Sequence, residues 1–283
     1  MRAIVYVYMA VLVVVSHAGV AAAQTHAGHG LATVAVTGVD FAFEGSESVE
    51  AGFVNLTFTN AGQAPHHVQV ARLNDGVTPE QLLAALQQGP MVALPLVELV
   101  GGVGIILPGE TRTVVTDLSR PGTYLELCLV ENEDGVPHLA LGMMRFFQVH
   151  AGATAASEPS IQPDLVVRML DFGFEVPARV PTGPQVWQVV NDGPQPHEMA
   201  MLRVLPGHTV EEVMAALRDG GEAAAHTLAV PYGGVQAMAD GLLGYIDLDL
   251  EPGSYIILCF VPDPATGQPH LALGMLSSFE AAE

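Results

Sequence analysis

Pro137-His138-Leu139-Ala140-Leu141-Gly142-Met143 recurs unchanged as Pro269-His270-Leu271-Ala272-Leu273-Gly274-Met275, and each copy follows one of the two cysteines, Cys128 and Cys259. Upstream, Asn60-Ala61-Gly62-Gln63-Ala64-Pro65-His66 has a counterpart in Asn191-Asp192-Gly193-Pro194-Gln195-Pro196-His197, and Gly122, Tyr124 and Cys128 match Gly253, Tyr255 and Cys259. Asp40-Phe41-Ala42-Phe43-Glu44 likewise matches Asp171-Phe172-Gly173-Phe174-Glu175. These pairs are 131 residues apart, as from His66 to His197, and the closing His and Met pairs are 132 apart. Self-similarity at one period over so long a stretch is the mark of a duplicated module. Two domains are expected at 31–150 and 164–283, each of ordinary size, joined by a small-residue and proline-bearing linker at 151–163.

Inside each module the signals are mostly those of strands. Val54 to Thr59 alternates apolar and polar residues with period two, and Val186 to Val190 is its more apolar counterpart. Thr123 to Val130 and Ser254 to Val261 follow Pro-Gly turn signals and are rich in strand formers. One helix per module is expected, Pro79 to Gln88 and Val210 to Asp219, each after a threonine suited to N-capping and before a glycine.

Each module thus carries two His, one Cys and one Met in matching order: His66, Cys128, His138 and Met143, then His197, Cys259, His270 and Met275. A lone cysteine in an apolar strand is usually packing. Eight such residues in register are better explained as donors, and two imidazoles, a thiolate and a weaker thioether suit copper in both oxidation states. His67 competes with His66, but the second module has Glu198 at its place, and neighbouring strand residues face opposite ways. Glu126 shares the Cys128 face of its strand and needs a partner such as Arg112 or Arg145, or must stay protonated.

Three motifs carry a resemblance to the cupredoxins, the plastocyanin-like blue copper proteins: Asn-x-x-x-x-Pro-His ending at His66 and His197, Gly-x-Tyr-x-x-x-Cys ending at Cys128 and Cys259, and His-x-x-x-x-Met ending at Met143 and Met275. The resemblance implies an all-β fold, two tandem Greek-key β-sandwiches each with one inserted α-helix. It implies type 1 copper, about one per domain, held by the eight residues above, and electron transfer as the function. It also implies that the loop histidines reach the surface through an apolar patch, which Leu139 to Leu141 and Leu271 to Leu273 would supply. Leucine or phenylalanine flanks both cysteines, so the neighbouring histidine that feeds a second copper in related oxidases is missing, and no His-x-His pair occurs. The expectation is therefore a carrier and not an enzyme; the alternatives are a copper-delivery protein without redox cycling and a metal-free interaction scaffold.

The N-terminus, Met1-Arg2 followed by an apolar run and Ala21-Ala22-Ala23, reads as a signal peptide over 1–23, which implies export to a periplasmic or extracellular space and no membrane span after cleavage. A formal charge of -21, with nine arginines and no lysine, excludes a nucleic-acid footprint. It favours redox partners with a basic docking surface.

Overall fold

The computed structural model describes residues 29–152 and 157–283, so the expected signal segment and part of the linker lie outside the described residues. The first half runs β1 (Ala32–Val39), β2 (Ala42–Gly45), β3 (Ser48–Glu50), β4 (Phe53–Asn60), β5 (His66–Leu73), α1 (Pro79–Leu86), α2 (Pro90–Ala93), β6 (Val97–Ile106), β7 (Thr111–Asp117), β8 (Gly122–Leu127) and β9 (Met144–His150). The second repeats this order as β10 (Leu165–Leu170), β11 (Gly173–Glu175), β12 (Arg179–Val180), β13 (Gly183–Asn191), β14 (His197–Val204), α3 (Val210–Ala225), β15 (Ala229–Met238), β16 (Leu243–Leu250), β17 (Gly253–Leu258) and β18 (Leu276–Ala281). Each half splits into two layers, β2-β1-β4-β7 over β3-β9-β8-β5-β6 and β11-β10-β13-β16 over β12-β18-β17-β14-β15. The chain crosses between layers after β2, β3, β4, β6 and β7, which gives the Greek-key sandwich.

The period-two alternation of the strands explains the layering. On β1, Val34 and Val36 are buried while Thr33 and Ala35 are exposed, and the inward set joins Val68, Val70, Tyr124 and Cys128 of the facing layer in one core. The opposite face of the larger layer is also apolar: Leu73, Leu125 and Leu127 pack under Leu82 and Ala85 of α1. Leu202, Ile256 and Leu258 do the same with Val213 and Leu217 of α3. The expected caps form. Thr78 accepts from the Gln81 N–H while the Gln81 side chain accepts from the Thr78 N–H, and Thr209 and Glu212 repeat the exchange. The first half gains a second, four-residue helix, α2, started by Pro90. Helix α3 extends past the expected end but breaks at Gly221, which has φ 71.

The two halves share both sheets. Strand β6 pairs antiparallel with β15 through Val103↔Val235, and β7 pairs with β16 through Val115↔Tyr245. The sheets therefore run unbroken through eight and ten strands. Gln69 reaches across the seam, donating to the Ala237 carbonyl at 2.9 Å and accepting from its N–H at 2.9 Å. The described part of the linker is docked as well: Ile161 packs on Val115 and Tyr245, and the Tyr245 hydroxyl donates to Glu158.

Candidate metal centres

Three short segments converge inside each sandwich. His66 opens β5, Cys128 follows β8, and His138 and Met143 lie on the loop that returns to β9; all four side chains are fully buried. Asn60 pins the first segment, donating to the Ala64 and Ile106 carbonyls at 2.9 and 3.1 Å and accepting from Gly62 N–H. Asn191 does the same in the second half with Gln195, Met238 and Gly193. Tyr124 and Tyr255 fix the strand before each cysteine by donating to the carbonyls of Arg120 and Glu251, four residues earlier.

On the returning loop, His138 N–H donates to Val130 O and Met143 N–H to His138 O, while Cys128 N–H donates to Met143 O. His270, Met275 and Cys259 repeat these bonds. The turn closes at Gly142 and Gly274 with φ 110 and 107, a left-handed conformation that explains the glycine in both copies of the motif.

The donor atoms form a small triangle. In the first half, His66 Nδ1 lies 3.0 Å from His138 Nδ1, and Cys128 Sγ lies 4.0 and 3.6 Å from those nitrogens. In the second, His197 Nδ1 and His270 Nδ1 are 3.0 Å apart and Cys259 Sγ is 4.0 and 3.5 Å from them. For edges a, b and c and area A the circumradius is abc/4A, about 2.1 Å in both cases, which matches metal–imidazole and metal–thiolate bonds of about 2.0–2.3 Å. Each His–Cys–His group can therefore hold one copper ion. No other such cluster of three occurs among the described residues.

A further pair of residues, absent from the expected set, completes each centre. Asp40 Oδ1 accepts from His66 Nε2 at 2.7 Å, and Asp171 Oδ1 pairs with His197 Nε2 in the same way. The carboxylate fixes the tautomer that leaves Nδ1 free to ligate. Asp40 is itself held by the N–H groups of Gln63 and Ala64. Burial pushes its carboxyl up, but those bonds and the His66 ring outweigh it and hold the group below the usual carboxylate range. A side chain at Gly62 or Gly193 would fall on the aspartate oxygen and the histidine Nε2, so the Asn-x-Gly spacing serves this contact.

Electrostatics favour neutral donors. Burial lowers the pKa of His66 and His197 against the pull of Asp40 and Asp171, and lowers His138 and His270 with help from the opposing imidazole. Burial pushes the Cys128 thiol up to about 11 and Cys259 further. Each cysteine must then shed a proton to bind while its imidazoles are already neutral near pH 7. Cu(II) affinity should accordingly rise about tenfold per pH unit between about pH 7 and 9. Competition against a chelator of known pH dependence checks this; a flat profile would show that no thiol is deprotonated on binding.

The neighbouring residues behave as the repeat comparison anticipates, with one exception. His67 points away from the triangle and accepts from Leu129 N–H, and burial lowers its pKa to about 4. Glu198 accepts from Phe260 N–H at 2.8 Å in the same place. Glu126 has its partner: the Arg145 guanidinium donates to both its oxygens at 2.8–3.0 Å. Burial raises its carboxyl to about 7 against the pull of that guanidinium. The exception is exposure of the loop histidines. His138 and His270 are 0 % exposed, each under a phenylalanine, Phe41 at 4.7 Å and Phe172 at 4.8 Å between ring centroids. His270 Nε2 also meets Gln195 Oε1 at 3.1 Å, for which the first half has only Ala64.

No protein-family model matches the chain and no curated relative does. Among solved structures, reduced auracyanin from Roseiflexus castenholzii is 20% identical, with 42% of this chain and 96% of that one covered at a TM-score of 0.28. A multicopper oxidase is 16% identical, covering 88% of both chains at 0.25. The copper-containing nitrite reductase of Thermus scotoductus is 14% identical over 88% of this chain and 61% of its own, at 0.24. The expectation that the chain is not an enzyme is corrected here, because copper enzymes stand beside a blue copper protein among these matches. A buried His–Cys–His group in each half of a duplicated β-sandwich fits a two-domain cupredoxin.

Proposed function

We propose that the protein is an exported electron-transfer protein with a type 1 copper site in each half, held by His66, Cys128, His138 and Met143 and by His197, Cys259, His270 and Met275. The matched donor triangles carry this reading. Copper supplies a one-electron change between Cu(II) and Cu(I). The chain supplies donors whose positions are set by main-chain bonds among Cys, His and Met and by the aspartate behind one imidazole, so the set stays in place when the charge changes. The thioethers of Met143 and Met275, buried and tied to their cysteines through the backbone, would supply the fourth, weaker donor.

Export rests on the signal-like N-terminus, and no helix among the described residues is long and apolar enough to cross a membrane. The formal charge of -21 points to partners with a basic docking surface. Electron exchange of the copper-loaded protein with a basic redox protein should slow as salt rises, while exchange with a neutral small-molecule oxidant should hardly change. A flat response with the basic partner would remove charge steering. A copper-loaded protein without a reversible voltammetric wave would remove electron transfer itself.

A further inference from the structure

An imidazole that ligates through Nδ1 must present a lone pair there, and a neutral ring has one proton, so that proton has to sit on Nε2. Asp40 and Asp171 secure this for His66 and His197. For the loop histidines the two halves differ. In the second, a chain of three side chains stands behind the ring: Thr266 donates to Asp263 Oδ2 from its N–H and hydroxyl at 2.9 and 2.7 Å, and Gln195 Nε2 donates to Asp263 Oδ1 at 3.2 Å. The Thr266 bonds, against the push of burial, hold the Asp263 carboxyl below the usual carboxylate range, so the group is ionised and only accepts. That sets the direction of the amide. With its nitrogen on Asp263, Gln195 turns Oε1 to His270 Nε2 at 3.1 Å, and an oxygen there calls for the ring proton on Nε2. A flipped amide would set its oxygen against the carboxylate.

The first half lacks this chain. Ala64 stands in place of Gln195 and Asn132 in place of Asp263, and Asn132 Oδ1 accepts instead from the N–H groups of Asp134 and Val136 in its own loop. His138 Nε2 is buried with no hydrogen-bond partner among the described residues, while its Nδ1 lies 3.0 Å from His66 Nδ1. Because Asp40 keeps the His66 proton on Nε2, His66 Nδ1 is an acceptor. The metal-free pair therefore closes when His138 donates from Nδ1, which makes one hydrogen bond where two lone pairs would otherwise face each other.

We propose that Gln195 is a positioning residue that, braced by Asp263, holds the His270 proton on Nε2, so the second pair of imidazoles is set to ligate before any metal arrives. His138 carries its proton on Nδ1 and must move it to Nε2, with no net gain or loss, before that nitrogen ligates. The two halves thus differ in readiness for metal although their donor triangles match. The consequence for copper rests on the type 1 reading, whereas the proton positions belong to the metal-free chain.

Long-range proton–nitrogen NMR correlation of the metal-free full chain at neutral pH reads the tautomers directly. The expected result is Nε2–H on His270 and Nδ1–H on His138. Gln195→Met, which keeps the length and removes the acceptor, should shift His270 to Nδ1–H, and Gln195→Glu, which keeps an acceptor, should leave it on Nε2. In chelator competition Gln195→Met should weaken Cu(II) at the second centre about tenfold and leave the first unchanged. Nδ1–H on His270 of the unaltered chain, a tautomer unmoved by Gln195→Met, or the same shift in Gln195→Glu would overturn the assignment. A second centre of unchanged affinity in Gln195→Met would overturn its consequence for the metal. Absence of copper uptake with both tautomers as assigned would strike the copper reading alone.

Discussion

Copper-loaded Cys259→Ser should keep the thiolate-to-copper colour of one centre and lose that of the other. The colour requires a sulfur bound to the ion, and Cys128 and Cys259 are the chain's two cysteines, each buried in its own triangle. A serine hydroxyl lies in the same place but is a hard, poor donor for copper beside two imidazoles. Cys128→Ser should give the mirror result, and the double variant should be colourless. Visible absorption of the three variants decides it: persistence of both colours in Cys259→Ser would make that cysteine a packing residue.

The second large effect is expected from a residue that never meets the metal. Asp40→Asn should weaken Cu(II) binding at the first centre about 10–100-fold, the usual cost of losing the group behind a ligating histidine. The carboxylate accepts three bonds at once, from His66 Nε2 and from the N–H groups of Gln63 and Ala64. An amide cannot accept with both of its heavy atoms, so either the ring or the loop loses its anchor. Chelator competition measures the change, with the Asp171 centre as internal control. Equal affinities before and after would mean that the ring is held by packing alone.

The two His–Cys–His groups were legible because each residue sits in a motif that the duplication repeats, and core packing alone does not require Cys and His twice in one fixed order. The strands were legible for the same reason that they layer: alternation on β1 and β4 separates the core face from the solvent face. Asp40 and Asp171 were visible only as matched residues of a repeat. Their role comes from a contact 26 residues along the chain, made when the turn after β1 or β10 folds over the loop before β5 or β14, and no local pattern encodes that.

The shared sheets were equally hidden. Pairing of β6 with β15 joins two glycine-rich strands, Gly101-Gly102 and Gly233-Gly234, whose edges carry no alternation to set a partner. The burial of His138 and His270 depends on Phe41 and Phe172 closing over them, again from the turn after the first strand of each half. Glu126 was legible as a problem and only the structure supplied its answer, since Arg145 stands opposite it on β9 where the second half pairs Ile257 with Ser277.

Titration of the metal-free protein with Cu(II), followed by metal analysis and visible absorption together, tests the central claim most directly. Two buried triangles of matching size predict uptake of about two coppers per chain, both with thiolate-to-copper colour. Uptake near zero after careful loading, or two coppers bound without that colour, would contradict the account.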